Sequence, residues 1–98
     1  MADQDERRRG ERVQLNAAVD FRRPREQPYP VRLHDLTAHG CRIDLPEHVS
    51  DAATIWVTLP GLESLASRVR WESNWNAGVE FKRPMHPAVF DHISAKLA

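Results

Sequence analysis

The sequence predicts an all-β fold: a small six-stranded antiparallel barrel followed by a C-terminal α-helix. Three observations support this prediction. The chain has 98 residues, which suits one small domain. Six short segments alternate apolar and polar residues and are separated by turn residues. The last segment changes to helical spacing. Many short strands with frequent turns favour a sheet that closes on itself.

The first three strands are predicted from apolar residues that recur at every second position. They span Val13–Phe21, Tyr29–Leu36 and Gly40–Leu45. Pro24 and Pro28 bracket the first turn, and the segment 35–40 leads from the second strand into the third.

The last three strands are predicted at Thr54–Leu59, Leu65–Trp71 and Ala77–Phe81. In the fifth strand, Val69 and Trp71 share one face by simple alternation. Arg68 and Arg70 share the opposite face. This pattern favours a place for Trp71 in the core.

The chain after Pro84 predicts an amphipathic helix, which we expect to cover one opening of the barrel. Pro87 suits the first turn of a helix. The apolar residues that follow recur near helical spacing and are Val89, Phe90, Ile93 and Leu97.

Composition excludes several classes of function. Fourteen basic and 14 acidic residues give a formal net charge of zero, which argues against binding a nucleic acid polymer. The single cysteine, Cys41, permits no internal disulfide and fits a cytoplasmic protein. No apolar run is long enough for membrane insertion. Neither metal-ligand spacing nor a carboxylate pair is evident, so we expect no metal, no cofactor and no enzymatic activity.

Arginine is concentrated near the N-terminus, where Arg7, Arg8, Arg9 and Arg12 precede the first strand. Guanidinium groups bind phosphate with two parallel hydrogen bonds and stack on flat rings. The cluster therefore predicts an anionic or aromatic ligand, although a solvated charged tail is the alternative. We expect residues 1–10 to form a flexible arm and residues 11–98 to form the barrel domain with its helix.

The turn after the second strand reads Asp35-Leu36-Thr37-Ala38-His39-Gly40. Asp35 can accept hydrogen bonds from the N–H edge of a base, and Thr37 can donate to a ligand or bond its own turn. Gly40 is expected to adopt a backbone conformation that other residues resist. The alternative is a capped turn that binds nothing.

Together these two segments resemble the PilZ domain family, whose pattern is Arg-x-x-x-Arg followed by Asp/Asn-x-Ser-x-x-Gly. Arg8 and Arg12 match the first motif, and Arg7 fills the place of an arginine that commonly precedes it. Asp35-x-Thr37-x-x-Gly40 matches the second motif, with threonine in place of serine. The resemblance extends over residues 6–95.

The resemblance implies a receptor for the bacterial second messenger cyclic di-GMP, without catalytic activity, that signals to a downstream protein partner. The ligand-binding residues it implies are Arg7, Arg8, Arg12, Asp35, Thr37 and Gly40. Trp71 is a further candidate, since an aromatic residue near this place contacts guanine in some members. Two alternatives remain: a PilZ-like adaptor that binds proteins independently of nucleotide, and a barrel that binds RNA or DNA through its basic arm.

Overall fold

The computed structural model describes residues 13–49 and 53–97, which form six antiparallel strands followed by one helix. The strands are β1 (Val13–Arg22), β2 (Tyr29–Leu36), β3 (Gly40–Asp44), β4 (Thr54–Thr58), β5 (Leu65–Ser73) and β6 (Asn76–Phe81), and the helix is α1 (Pro87–Leu97). The predicted elements are therefore confirmed. The predicted bounds of β2 match, and the other strands differ by one or two residues. The predicted flexible arm lies outside the described residues.

The six strands form a closed barrel in the order β1-β2-β3-β6-β5-β4, and β4 completes the ring by pairing with β1. Closure leaves no unpaired strand edge among these elements, which removes a route to aggregation. The predicted antiparallel barrel is confirmed.

The core follows from alternation along each strand. In β4, Ile55 and Val57 are fully buried while the intervening side chains are only partly covered, as the pattern predicts. Phe90 and Ile93 of α1 join the same core cluster, and α1 contacts β1. Burying such side chains contributes about 1.5–3 kcal/mol each.

Three β-bulges interrupt the regular alternation. Relative to its partner, β1 has one extra residue between Gln14 and Ala17, β2 has one between Leu33 and Asp35, and β5 has one between Val69 and Trp71. An extra residue bends its strand and reverses which face the following side chains occupy.

The bulge in β5 corrects the prediction that Trp71 lies in the core with Val69. Val69 pairs with Val79, but Trp71 pairs with Gly78, so one residue of β5 is left without a partner in β6. Val69 remains buried at 2% exposure, whereas Trp71 is on the outer face at 46%. Simple alternation fails here because the bulge shifts the side-chain pattern by one residue.

Gly40 is required for a reason other than the one the sequence indicates. Its φ is not in the positive range, unlike that of Gly61 at 82°. A Cβ at Gly40 would instead lie 2.0 Å from the carbonyl oxygen of Val79 in β6. The backbones of β3 and β6 approach so closely here that only glycine fits.

We expect Gly40→Ala to destabilise the barrel by about 2 kcal/mol or more, because the added methyl meets backbone that cannot move without breaking the β3–β6 ladder. Urea unfolding followed by circular dichroism measures this change. Gly78→Ala is the matched control, since its Cβ would meet the Trp71 side chain rather than backbone. Equal stability of wild type and Gly40→Ala would contradict the close-approach argument.

Candidate functional site

An open groove lies on the outer face of β3, β5 and β6, next to the turn that joins β2 to β3. Its volume is about 270 Å³. The residues that carry its chemistry are Asp35, Thr37, Gly40, Arg42, Arg70, Trp71 and Gly78. The groove therefore combines a carboxylate, guanidinium groups and an indole on one surface.

The turn from Thr37 to Gly40 is held by its own hydrogen bonds. The Thr37 hydroxyl accepts from the backbone N–H groups of His39 and Gly40, both at 3.1 Å. It also lies 3.3 Å from the carbonyl oxygen of Gly40, to which it donates. Of the two roles that the sequence left open for Thr37, the structure therefore shows the bond to its own turn.

Two further hydrogen bonds fix this turn to the rest of the barrel. The N–H of Phe81 donates to the carbonyl of His39 at 2.8 Å, and the N–H of Met85 donates to that of Ala38 at 2.7 Å. The turn is thereby attached to the end of β6 and to the segment before α1. The result is a rigid wall for the groove.

Asp35 reaches the groove because of the bulge in β2. Leu33 and Leu36 both point into the core, and the extra residue between Leu33 and Asp35 leaves the carboxylate on the outer side. Asp35 is only 7% exposed, and its Oδ2 accepts a hydrogen bond from Nε of Arg42 at 2.8 Å. A shielded carboxylate is retained at low cost when a guanidinium pairs with it in this way.

Trp71 and Arg42 both border Gly78. In the strand register, Gly78 pairs with Arg42 on one side and with Trp71 on the other. A Cβ at Gly78 would lie 2.1 Å from Nε1 of Trp71, so the indole lies directly against this glycine. Because Gly78 has no side chain, the indole packs directly against it, and the paired position on β3 carries Arg42.

Glu80 joins two arginines at the rim of the groove. Its Oε1 accepts hydrogen bonds from Nε of Arg68 and from Nη1 of Arg70, both at 3.1 Å. The hydrogen bond from Arg68, together with the positive charges of both arginines, lowers the pKa of Glu80. One carboxylate cannot neutralise two guanidinium groups, so this rim keeps a net positive charge that favours an anionic ligand.

Cys41 also lines the groove, but it is buried, which disfavours its thiolate form. Burial, with a smaller contribution from the charge of Asp35, raises the pKa of Cys41 to about 12. The thiolate is the nucleophile and the metal ligand, so a thiol held neutral carries out neither role. Within residues 13–49 and 53–97, no cluster of three or more His, Cys, Asp or Glu residues could hold a metal ion.

Four of the seven predicted site residues, Asp35, Thr37, Gly40 and Trp71, lie together along this groove. The other three, Arg7, Arg8 and Arg12, lie outside the described residues. Val13, which follows Arg12 in the chain, pairs with Leu36 at the base of the turn. The described part of the chain therefore begins beside the turn that borders the groove.

Sequence reasoning missed Arg42, Arg70, Gly78 and Glu80 as groove residues. Alternation along β3 carries a signal for Arg42, because Cys41 and Ile43 on either side of it are buried. The pairing of Gly78 with Trp71 depends on the β5 bulge and had no such signal.

Comparison with known proteins identifies the fold. A model of the PilZ domain family matches residues 6–98. A solved structure described as the PilZ domain of CeSA from a cellulose-synthesizing bacterium superimposes with a TM-score of 0.61 at 14% sequence identity. The match covers 89% of this chain and 93% of that one, and at such low identity it demonstrates a shared fold alone. No curated protein sequence matches significantly. The longest helix in the described ranges, α1, is too short to cross a membrane.

We expect Cys41 to react with an alkylating reagent at mildly alkaline pH on the order of a hundredfold more slowly in folded than in urea-unfolded protein, because the fold suppresses its thiolate. Mass spectrometry of timed samples measures both rates. Comparable rates in folded and unfolded protein would contradict the suppression of the thiolate.

The same raised pKa of Cys41 predicts that folding stability declines as pH rises from 9 towards 12, since the unfolded thiol loses its proton first. Cys41→Ala should weaken this decline.

Proposed function

The chain belongs to the PilZ domain family, and from that premise we propose that it is a receptor for cyclic di-GMP that binds the nucleotide in the groove beside Asp35 and Trp71. The observation that carries the proposal is the meeting of a carboxylate, two guanidinium groups and an exposed indole on one rigid surface. Such a set matches a ligand that has two guanine bases and two phosphates.

Asp35 and Arg42 are suited to read the edge of a guanine. The base presents N–H donors to a carboxylate and presents O6 and N7 as acceptors to a guanidinium. Oδ2 of Asp35 is bonded to Arg42 at 2.8 Å, and a carboxylate has acceptor sites on both oxygens. We therefore infer that Asp35 accepts from the base while Arg42, whose side chain is 38% exposed, also turns towards the ligand.

Trp71 is suited to stack against a guanine face. Its indole lies against Gly78, yet 46% of the residue is exposed to the groove and solvent. Stacking of a base on an aromatic side chain contributes about 1–3 kcal/mol. A supported but exposed indole loses little conformational freedom on binding, which makes it an efficient contact.

Arg7, Arg8 and Arg12 complete the proposed site by binding the phosphates. Charge-assisted hydrogen bonds contribute roughly 1.5–3 kcal/mol each. A few of them, less the cost of ordering the segment that carries them, reach a micromolar dissociation constant, equivalent to about −8 kcal/mol. The positive rim formed by Arg68 and Arg70 around Glu80 adds a favourable field.

The proposed signal is a change in the N-terminal segment when it closes over the bound nucleotide, which creates or hides a surface for a downstream protein. PilZ domains are generally binding modules without catalytic activity, and we propose the same for this chain, acting in the cytoplasm of a bacterium. Control of motility, surface polysaccharide or biofilm formation is the output that the family favours.

A second candidate function is that of a protein-binding adaptor that does not need nucleotide. One observation favours it: the polar groups of the second motif already have partners within the chain. Thr37 bonds its own turn and Asp35 bonds Arg42. To bind these groups, the nucleotide would have to replace or share the hydrogen bonds that they already make within the chain. The methyl group of Thr37, where the family usually has serine, adds a modest steric cost.

We expect Arg8→Ala and Arg12→Ala each to abolish measurable cyclic di-GMP binding in isothermal titration calorimetry, because each removes a phosphate contact, while thermal unfolding stays unchanged. Arg83→Ala is the matched control, since Arg83 is an exposed arginine outside the groove. Unchanged affinity in both motif variants would refute the proposed role of the arm. A folded wild type that ignores the nucleotide even at about 1 mM in low salt supports the adaptor instead.

We expect Trp71→Ala to weaken cyclic di-GMP binding about tenfold through loss of base stacking. Intrinsic tryptophan fluorescence tests the same contact, because stacked guanine quenches the indole. Trp75→Gly is the control that removes an exposed indole outside the groove. Quenching should persist in the control and disappear in Trp71→Ala. The reverse pattern would place the base elsewhere.

A further inference from the structure

The hairpin between β5 and β6 presents a second exposed tryptophan in a costly backbone conformation. Its two turn residues, Asn74 and Trp75, have φ values of 52° and 65°. A two-residue turn of this kind prefers Asn-Gly, because a residue with a Cβ is strained at positive φ. Asparagine tolerates that conformation, whereas tryptophan at the second position is an outlier whose persistence requires an explanation.

Packing within the chain does not explain Trp75. The residue is 74% exposed, so most of the indole lies in water. Its one backbone contribution, a carbonyl that accepts a hydrogen bond from the N–H of Leu45 at 2.7 Å, would be available to glycine as well. Within the described residues, no contact of the Trp75 side chain offsets the cost of its backbone strain and its exposure to water.

Clefts lie on both sides of this indole. One is bordered by Glu47, His48 and Glu72, and the other by Pro30, Asp44 and Pro46. We call this region, centred on Trp75, the hairpin surface. Binding hot spots are often large aromatic side chains next to clefts, because a partner side chain that enters such a cleft is removed from water.

The hairpin surface has an excess of negative charge. Asp44 and Glu72 have imidazole partners, His34 and His48 respectively, rather than guanidinium or ammonium groups. Glu47 does have a cationic partner.

That partner is Arg23, at 3.3 Å, and Arg23 also bonds Glu26. Arg32, the one guanidinium that borders the clefts among the described residues, donates to Asn16 instead of to these carboxylates. The acidic groups of the hairpin surface are therefore only partly compensated, in contrast to the basic rim of the groove.

We propose that the hairpin surface is a docking site for a basic segment of another protein, in which an arginine or lysine side chain lies over the Trp75 indole and contacts the carboxylates beside it. The same chain already contains such a pair, because the guanidinium carbon of Arg22 lies 4.3 Å from the centre of the Trp56 ring. Cation–π contacts of this kind favour tryptophan over other aromatic residues.

This site is separate from the nucleotide groove and goes beyond the function proposed above. The hairpin pairs with the Asp44 end of β3, whereas the groove extends from Gly40 to Arg42 and so ends two residues, or about 7 Å, before Asp44. A second copy of this chain could also supply arginines. However, such a head-to-tail contact closes into a ring only for particular rotations and otherwise leads to open polymers, so a different protein is the occupant we infer.

The test uses the full chain and two short fluorescent peptides. Both contain leucine and proline residues, and the positions between these are arginine in one peptide and glutamate in the other. Fluorescence anisotropy should show that the arginine peptide binds and that the glutamate peptide does not. Trp75→Gly should weaken it at least about tenfold. Trp71→Phe is the matched control and should leave it unchanged. No binding of the arginine peptide to wild type, or equal binding to Trp75→Gly, overturns the proposal.

Two further measurements separate this proposal from its alternatives. Trp75→Gly should raise the melting temperature by a few degrees, through release of strain at positive φ, and should leave cyclic di-GMP affinity unchanged. A clear fall in melting temperature would mean that Trp75 is a packing residue, which overturns the docking role. Sedimentation that shows self-association of wild type, abolished in Trp75→Gly, would assign the surface to a second copy and overturn the inferred occupant.

Discussion

Closure of a barrel from short strands is the constraint on which the rest of this structure depends. All six strands have ten residues or fewer, and a sheet of such strands closes into a ring only if it bends. The bends are supplied by one extra residue in each of β1, β2 and β5. Because each bulge increases the local twist, the sheet can curve until β4 meets β1.

The bulges that permit closure also build the groove. The one in β2 leaves Asp35 outside while Leu33 and Leu36 remain in the core, and the one in β5 turns Trp71 outwards next to buried Val69. Two glycines complete the arrangement in different ways. Gly40 lets two backbones approach, whereas Gly78 leaves room for an indole. The proposed ligand contacts are thus consequences of strand geometry and stand on rigid elements, as preorganised binding requires.

The outer face of β3 and β6 joins two regions of opposite charge. The groove end carries Arg42 and the arginine pair around Glu80, and the hairpin end carries the carboxylates around Trp75. A polar chain runs between them, since Arg42 lies within 3.4 Å of Asn76 and Asn76 donates to Asp44 at 2.8 Å. The proposed receptor function requires one surface for the ligand and another for a partner, and this division of charge provides two surfaces with different preferences.

The sequence alone determined the six strands, the helix and the two motifs, because these depend on local periodicity and on residue types at fixed spacing. It thereby indicated that Asp35, Thr37 and Gly40 share one turn. Only the tertiary structure decided that Trp71 leaves the core, that Gly40 is needed for backbone approach, and that Arg42 and Gly78 belong to the groove. These facts depend on strand register, and a bulge of one residue changes the face of every side chain beyond it while leaving almost no local signature.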